Sequence, residues 1–319
     1  MRKKIYLHVG YPKTATSAFQ KFLFPSVGCV SYIGKFEGKA KRFASPGLEN
    51  VLYSASTMKK EEFAKLKIPL DIIDLTSTQF LISDETLLFN IFRPSLWRSE
   101  AIGIEDVVSN LRVLQISLGV EFHIIITIRN QLEMLTSMYA QCYNSCYSRM
   151  ESTSTFDEFF KYFERSPKMV EALNYTYVLK CFSESFSKVD LLVYEELKME
   201  GGQFMAKVSD VFGEDLSTVN IGFDNVRQGE GFKNVDEYTL SDYVGALRQK
   251  VGFLRQIKVP WLRRALQKIK IKDMSQLSTT VCLNDEQILV LNNIYGCSNR
   301  DLFMGIDLDS ELLGYPTGL

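Results

Sequence analysis

The feature that most constrains this chain is a set of short, unbroken apolar runs, each of which stops abruptly in small or charged residues. The strongest is Phe122-His-Ile-Ile-Ile-Thr-Ile128, followed at once by Arg129-Asn130. Ile5–Val9 runs into Gly10-Tyr-Pro-Lys13, Gln79–Ser83 into Asp84-Glu85, and Val189–Tyr194 into Glu195-Glu196, while Val30–Ile33 reads as a further short strand. Continuous rather than alternating apolar strands are buried on both faces, which is the mark of a parallel sheet. Helical periodicity over 15–24, 61–75, 105–118, 131–147 and 202–212 supplies the crossovers that parallel strands require. In such a sheet ligands bind beyond the carboxyl ends of the strands, so the polar residues after each run are the candidate site.

Composition narrows the classes of function. With 319 residues and 46% hydrophobic content the chain suits one large α/β domain. A net charge of −1 gives no global field for nucleic acid. No apolar run reaches the ~18 residues of a membrane span, and Ile5–Val9 is too short for a signal core, so a cytoplasmic protein is expected. The six cysteines are scattered without a CxxC pair, and the two histidines, His8 and His123, lie far apart, so no zinc or His-cluster site is expected. From about Tyr238 the pattern turns to helices and loops. Arg248 to Lys272 holds nine Lys/Arg and no Asp or Glu. It reads as a solvated helix face packing its apolar side on the domain, or as a peripheral membrane or anionic-glycan contact.

Gly10 to Ser17 lies between a strand and a helix. The amides of a helix start favour an anion, Pro12 stiffens the turn, Lys13 brings a mobile cation, and Thr14, Thr16 and Ser17 bring hydroxyls. A plain capped helix start is the alternative. It is not a Walker A loop, because Lys13 stands three residues beyond Gly10 and not six. The segment Pro12-Lys13-Thr14-Ala15-Thr16-Ser17 instead resembles the 5′-phosphosulfate loop of sulfotransferases that use 3′-phosphoadenosine-5′-phosphosulfate (PAPS), typically Pro-Lys-Thr-Gly-Thr-Thr, with Ala15 in place of glycine. Arg129 at a strand end with Ser137 eight residues later is similar to the same family's 3′-phosphate site, although Gln131 stands where Pro is common; a strand-end Arg in a salt bridge and a helix-surface Ser are the alternative. Leu192–Leu197 resembles its Tyr-Glu-Asp-Leu strand end. Arg227-Gln228-Gly229 resembles, with compressed spacing, its Arg-Lys-Gly loop. The stretch from Ser298 to Tyr315 looks like the tail of bacterial carbohydrate-type members.

The resemblance implies a P-loop-type, Rossmann-like α/β fold: a central parallel sheet with helices on both faces. It implies one sulfotransferase domain, with a PAPS-binding core over 1–220 and a mostly helical part over 221–319. Sulfuryl would pass in line, without metal, from PAPS to a hydroxyl of a carbohydrate or glycolipid. Lys13 would be catalytic, and Pro12, Lys13, Thr14, Ala15, Thr16, Ser17, Arg129, Ser137 and Arg227 would bind the donor. For the base that takes the acceptor's proton, Glu85 is expected, with Asp84 or a histidine as alternatives; Asp84-Glu85 as a simple turn cap also stands. Aromatics at Phe36, Phe43, Tyr53, Phe92 and Trp97 are either a sugar platform or ordinary loop packing. A P-loop kinase or NTPase with Asp84 on magnesium is the second reading, and a catalytically inactive nucleotide binder of the same fold the third.

Overall fold

Five strands lie side by side in the order β2-β3-β1-β4-β5: β1 Lys4–His8, β2 Ser31–Tyr32, β3 Gln79–Ser83, β4 Glu121–Ile128 and β5 Lys188–Val193. Every pairing is parallel. The computed structural model describes residues 3–35, 43, 45–69, 72–73, 77–92, 102–143, 147, 153–199, 201–221, 281–306 and 308–318. The expected α/β class and all five expected strands are therefore present. The segments 248–272 and Arg227-Gln228-Gly229 lie outside the described residues, as does the expected helical part over 222–280.

The central strands are sequestered on both faces, with Ile5, Leu7, Ile124, Ile126 and Ile128 essentially inaccessible. That is why they read as unbroken apolar runs. Tyr6, Leu81, Ile125 and Leu192 meet Phe19, Leu23 and Phe24 in one core cluster. The same cluster takes in Phe204, Met205, Val208 and Phe212 of the helix Gly201–Phe212, and the Phe19 and Phe204 rings stack at 5.5 Å.

The helices, in chain order, begin with α1 Thr16–Ala18, which runs on through a π turn to Leu23 and a 3-10 turn to Ser26. Next come α2 Pro46–Ala55, α3 Lys60–Phe63, α4 Thr86–Phe89, α5 Ile104–Leu118 and α6 Gln131–Cys142. After these follow α7 Phe156–Glu164, α8 Pro167–Leu173, α9 Tyr175–Ser185, α10 Tyr194–Met199, α11 Gly201–Phe212 and α12 Asp285–Met304. Of the helix expected over 61–75, the described residues form a single turn, α3, and Pro69 disfavours helical geometry at Ile68. Helix α5 ends where expected, at Gly119 with φ 64.

The chain divides into two compact units, Met1–Met134 with Ser166–Arg227 and Ile288–Leu319, and Leu135–Arg165 with Gln228–Gln287. The first contains the whole sheet. In the second, Tyr139 stacks on Tyr147 at 5.4 Å and packs edge-on against Phe156, and a Thr155–Glu158 capping box starts α7. No described helix is long and apolar enough to cross a membrane.

Candidate functional site

The chain leaves β1 toward β2 and leaves β4 toward β5, in opposite directions, so β1 and β4 flank the point where the strand order switches. A crevice forms at the carboxyl ends of such a pair. Both sequence segments singled out for phosphate binding emerge there. Pairing of the two strands continues past β1, with Val9 and Tyr11 donating to the Ile125 and Thr127 carbonyls at 2.9 and 3.1 Å.

The loop from Gly10 to Ser17 turns through two left-handed residues, Lys13 (φ 68) and Ala15 (φ 58). Only glycine occupies that region freely, so the geometry is held against a cost of order 1–2 kcal/mol per residue. Left-handed residues in a tight loop turn backbone N–H groups toward a common anion-binding concavity. The hydroxyls of Thr14 and Thr16 meet within the loop. Thr14 Oγ1 donates to the Tyr11 carbonyl at 2.5 Å and lies 3.2 Å from Thr16 Oγ1, and both side chains are buried.

Arg129 arrives from the end of β4. Its Nη1 donates to the Lys13 carbonyl at 2.8 Å, and its Nε and Nη2 donate to Glu133 Oε2. The guanidinium also lies over the Tyr194 ring, 4.9 Å from its centre. Burial alone would raise the Glu133 carboxyl, but the hydrogen bonds and charge of Arg129, helped by Lys198, hold it at about 2. Ser137 is buried on α6, in the second unit.

After β3, Asp84 is nearly inaccessible. Its Oδ1 accepts from the Thr86 N–H and hydroxyl at 3.1 and 2.8 Å and from Lys35 Nζ at 2.8 Å. Asp84 thus caps the turn into α4. Glu85, the next residue, has its carboxyl pushed up chiefly by burial; the charge of Lys35 opposes this, Asp84 adds to it, and Lys13 and the Thr16 hydroxyl pull back. Glu85 is therefore a carboxylate of raised proton affinity within electrostatic reach of Lys13, and the main cause is burial, with the neighbouring Asp84 secondary.

A row of buried polar groups under the loop escaped the sequence reading. His8 Nε2 bonds Thr127 Oγ1 and His8 Nδ1 bonds Ser83 Oγ, both at 2.8 Å, and Gln20 Nε2 donates to Ser83 Oγ at 3.1 Å. The row crosses the ends of β4, β1 and β3. His8 closes β1 and lies directly beneath the loop: a Cβ on Gly10 would stand 2.6 Å from its Nε2. Sequence periodicity placed this histidine inside the strand, and only pairing register brings it to the edge. His123 sits toward the opposite end of β4, where its Nε2 pairs with Asp190. Of the expected aromatic platform, Phe43 and Phe92 are core residues and Tyr53 is exposed; Phe36 and Trp97 lie outside the described residues.

No protein-family model matches the chain, and no curated protein matches it. Among solved structures, it is similar to a sulfotransferase from Alicyclobacillus acidocaldarius, with 12% identity, a TM-score of 0.50, and 98% of this chain and 99% of that one covered. This likeness identifies the fold as that of sulfotransferases. Two further matches have TM-scores of 0.40 and 13% identity, a likeness too loose to argue from. One is a mouse sulfotransferase, SULT7A1, complexed with PAP, covering 96% of this chain and 88% of that one. The other is a retinol dehydratase in complex with androsterone and inactive cofactor PAP, covering 93% and 81%.

Proposed function

We propose that the chain transfers a sulfuryl group from PAPS to a hydroxyl group of a carbohydrate or glycolipid, without a metal. The observation that carries this reading is the hydrogen bond from Arg129 to the Lys13 carbonyl at the β1/β4 switch point. Two sequence segments 116 residues apart, each resembling half of a PAPS site, are joined there. The loop amides take the 5′-phosphosulfate, and Lys13 neutralises charge on the sulfuryl group and the departing phosphate. Arg129, whose fork is shared with Glu133, supplies the charge that takes the 3′-phosphate. Ser137 and Arg227 enter this reading from the sequence resemblance alone.

In the reaction the acceptor oxygen bonds to sulfur as the bond from sulfur to the 5′-phosphate oxygen breaks. Glu85 accepts the hydroxyl proton, for which its raised proton affinity suits it. The products are a sulfate ester and 3′,5′-ADP. Both carboxylates after β3 have roles here: Asp84 holds Lys35 and the turn, and Glu85 is left to do the chemistry.

Calorimetry with 3′,5′-ADP and a transfer assay with labelled PAPS against glycans, lipid-linked sugars, phenols and peptides test the proposal. Lys13→Ala is expected to abolish turnover. Arg129→Ala is expected to weaken 3′,5′-ADP about a hundredfold, the loss of a charge-assisted phosphate contact. Glu85→Gln is expected to lower kcat by about two to four orders of magnitude with 3′,5′-ADP affinity unchanged. Equal 3′,5′-ADP affinity in the wild type and Arg129→Ala would overturn the donor site. Normal turnover in Glu85→Gln would remove Glu85 as the base.

A further inference from the structure

The last residues of the chain are built into the end of β4. Asn130, directly after Arg129, is held at three points. Its backbone N–H donates to Glu195 Oε1 at 3.0 Å, its Oδ1 accepts from the Leu132 N–H at 2.8 Å, and its Nδ2 donates to the Gly314 carbonyl. The carbonyl of Arg129 itself accepts from the Tyr175 hydroxyl. Glu195 uses its other oxygen, Oε2, to accept from the Tyr315 hydroxyl at 2.7 Å. One buried carboxylate thereby joins the residue after Arg129 to a side chain 185 residues further on.

The tail is fixed on both sides of that contact. Tyr315 packs on Phe303 at 4.5 Å and edge-on to Tyr175 at 6.4 Å. Asn299 Nδ2 donates to the Pro316 carbonyl at 2.9 Å, and Gly296 leaves no room for a Cβ against Gly318. Gly314 has φ 73, and a Cβ there would stand 3.0 Å from Asn130 Nδ2.

A tail needs no carboxylate to stay docked; apolar packing does that without the desolvation cost of a buried charge. What a carboxylate adds is direction, with two acceptors at fixed angles, one of them aimed at the backbone beside Arg129. We infer that Glu195 and Tyr315 are positioning residues for the donor phosphate, and that the C-terminal segment sets where the Arg129 guanidinium stands. The inference rests on Arg129 being the phosphate ligand.

The test is a double-mutant cycle read by calorimetry with 3′,5′-ADP. Tyr315→Phe removes one hydroxyl and keeps the ring. It is expected to weaken 3′,5′-ADP about fivefold to tenfold in the wild-type background. In the Arg129→Ala background the same change is expected to cost less than about twofold, because the residue it positions is gone. Gly314→Ala, whose Cβ displaces the Asn130 amide while leaving Tyr315 and Glu195 intact, should give the same selective loss. A lower melting temperature with unchanged 3′,5′-ADP affinity in both variants means the tail only stabilises the fold, and the inference falls. Equal losses in the two backgrounds sink it as well. If Arg129→Ala alone leaves affinity unchanged, the donor-site reading fails before Tyr315 is touched.

Discussion

At the scale of single residues, the phosphate loop contains opposed demands. Ala15 holds a left-handed conformation at φ 58 that a glycine would adopt without strain, whereas Gly10 has ordinary backbone but no space. The two positions therefore respond oppositely to exchange. Ala15→Gly relieves a Cβ clash of order 1–2 kcal/mol but loosens the unfolded chain by ~0.5–1 kcal/mol, so a net gain of about 0–1.5 kcal/mol is expected. Gly10→Ala drives a methyl group to 2.6 Å from a His8 ring that two hydrogen bonds hold in place, and a loss of about 1–3 kcal/mol is expected. Urea unfolding of the two variants measures both signs. If Gly10→Ala cost nothing, the ring would not lie beneath the loop. The sequence resemblance marks Ala15 as standing where glycine is usual; the reason, a positive φ, is visible only in the backbone.

Among the elements, the carboxyl edge of the sheet is tied by the Thr127–His8–Ser83–Gln20 row, and its behaviour in acid follows. Burial pushes the His8 imidazole down to about 3, against about 6.5 when exposed. The unfolded chain therefore takes up this proton first. Stability from the row is complete above about pH 6.5 and falls as pH drops toward 3, by about 1.4 kcal/mol per pH unit. His8→Asn has no such proton to take up. Its unfolding midpoint should change less than that of the wild type between pH 7 and pH 5, and equal changes would show that His8 titrates normally. The strands were legible because burial on both faces writes unbroken apolar runs, and α5 and α11 because one buried face writes a 3.6-residue period. What stayed hidden depends on register. The His8 row, the Arg129–Lys13 bond and the tail on Glu195 join residues 63 to 120 positions apart, and no local pattern connects them. Helix α2 was missed although Ser45 caps it and Pro46 opens it, because its apolar face is only Leu48, Leu52 and Ala55.

For the whole molecule, the question is which of two chemistries this kind of scaffold serves. A kinase or NTPase would use the acid after β3 to hold magnesium, and the segment Phe80–Glu85 has the look of such a strand. The local contacts weaken that use. Asp84 Oδ1 already accepts from Lys35 Nζ at 2.8 Å and from both donors of Thr86, so the carboxylate charge is balanced by an ammonium group that a cation would compete with. Among the described residues no group of three or more His, Cys, Asp or Glu is arranged to hold a metal ion. A net charge of −1 gives no global attraction for an anion, so in the proposed donor site that attraction falls to Lys13 and Arg129. Binding of 3′,5′-ADP should therefore persist in a chelator such as EDTA, added magnesium should not strengthen it, and ATP with magnesium should compete poorly. Transfer from labelled PAPS should likewise be unchanged by EDTA. Lys35→Ala sharpens the comparison: freeing Asp84 of its ammonium partner is expected to create a magnesium dependence that the wild type lacks. A wild-type protein that binds 3′,5′-ADP only with magnesium, or binds ATP–magnesium more tightly, would return the site to the nucleotide-hydrolysing class despite the sulfotransferase fold.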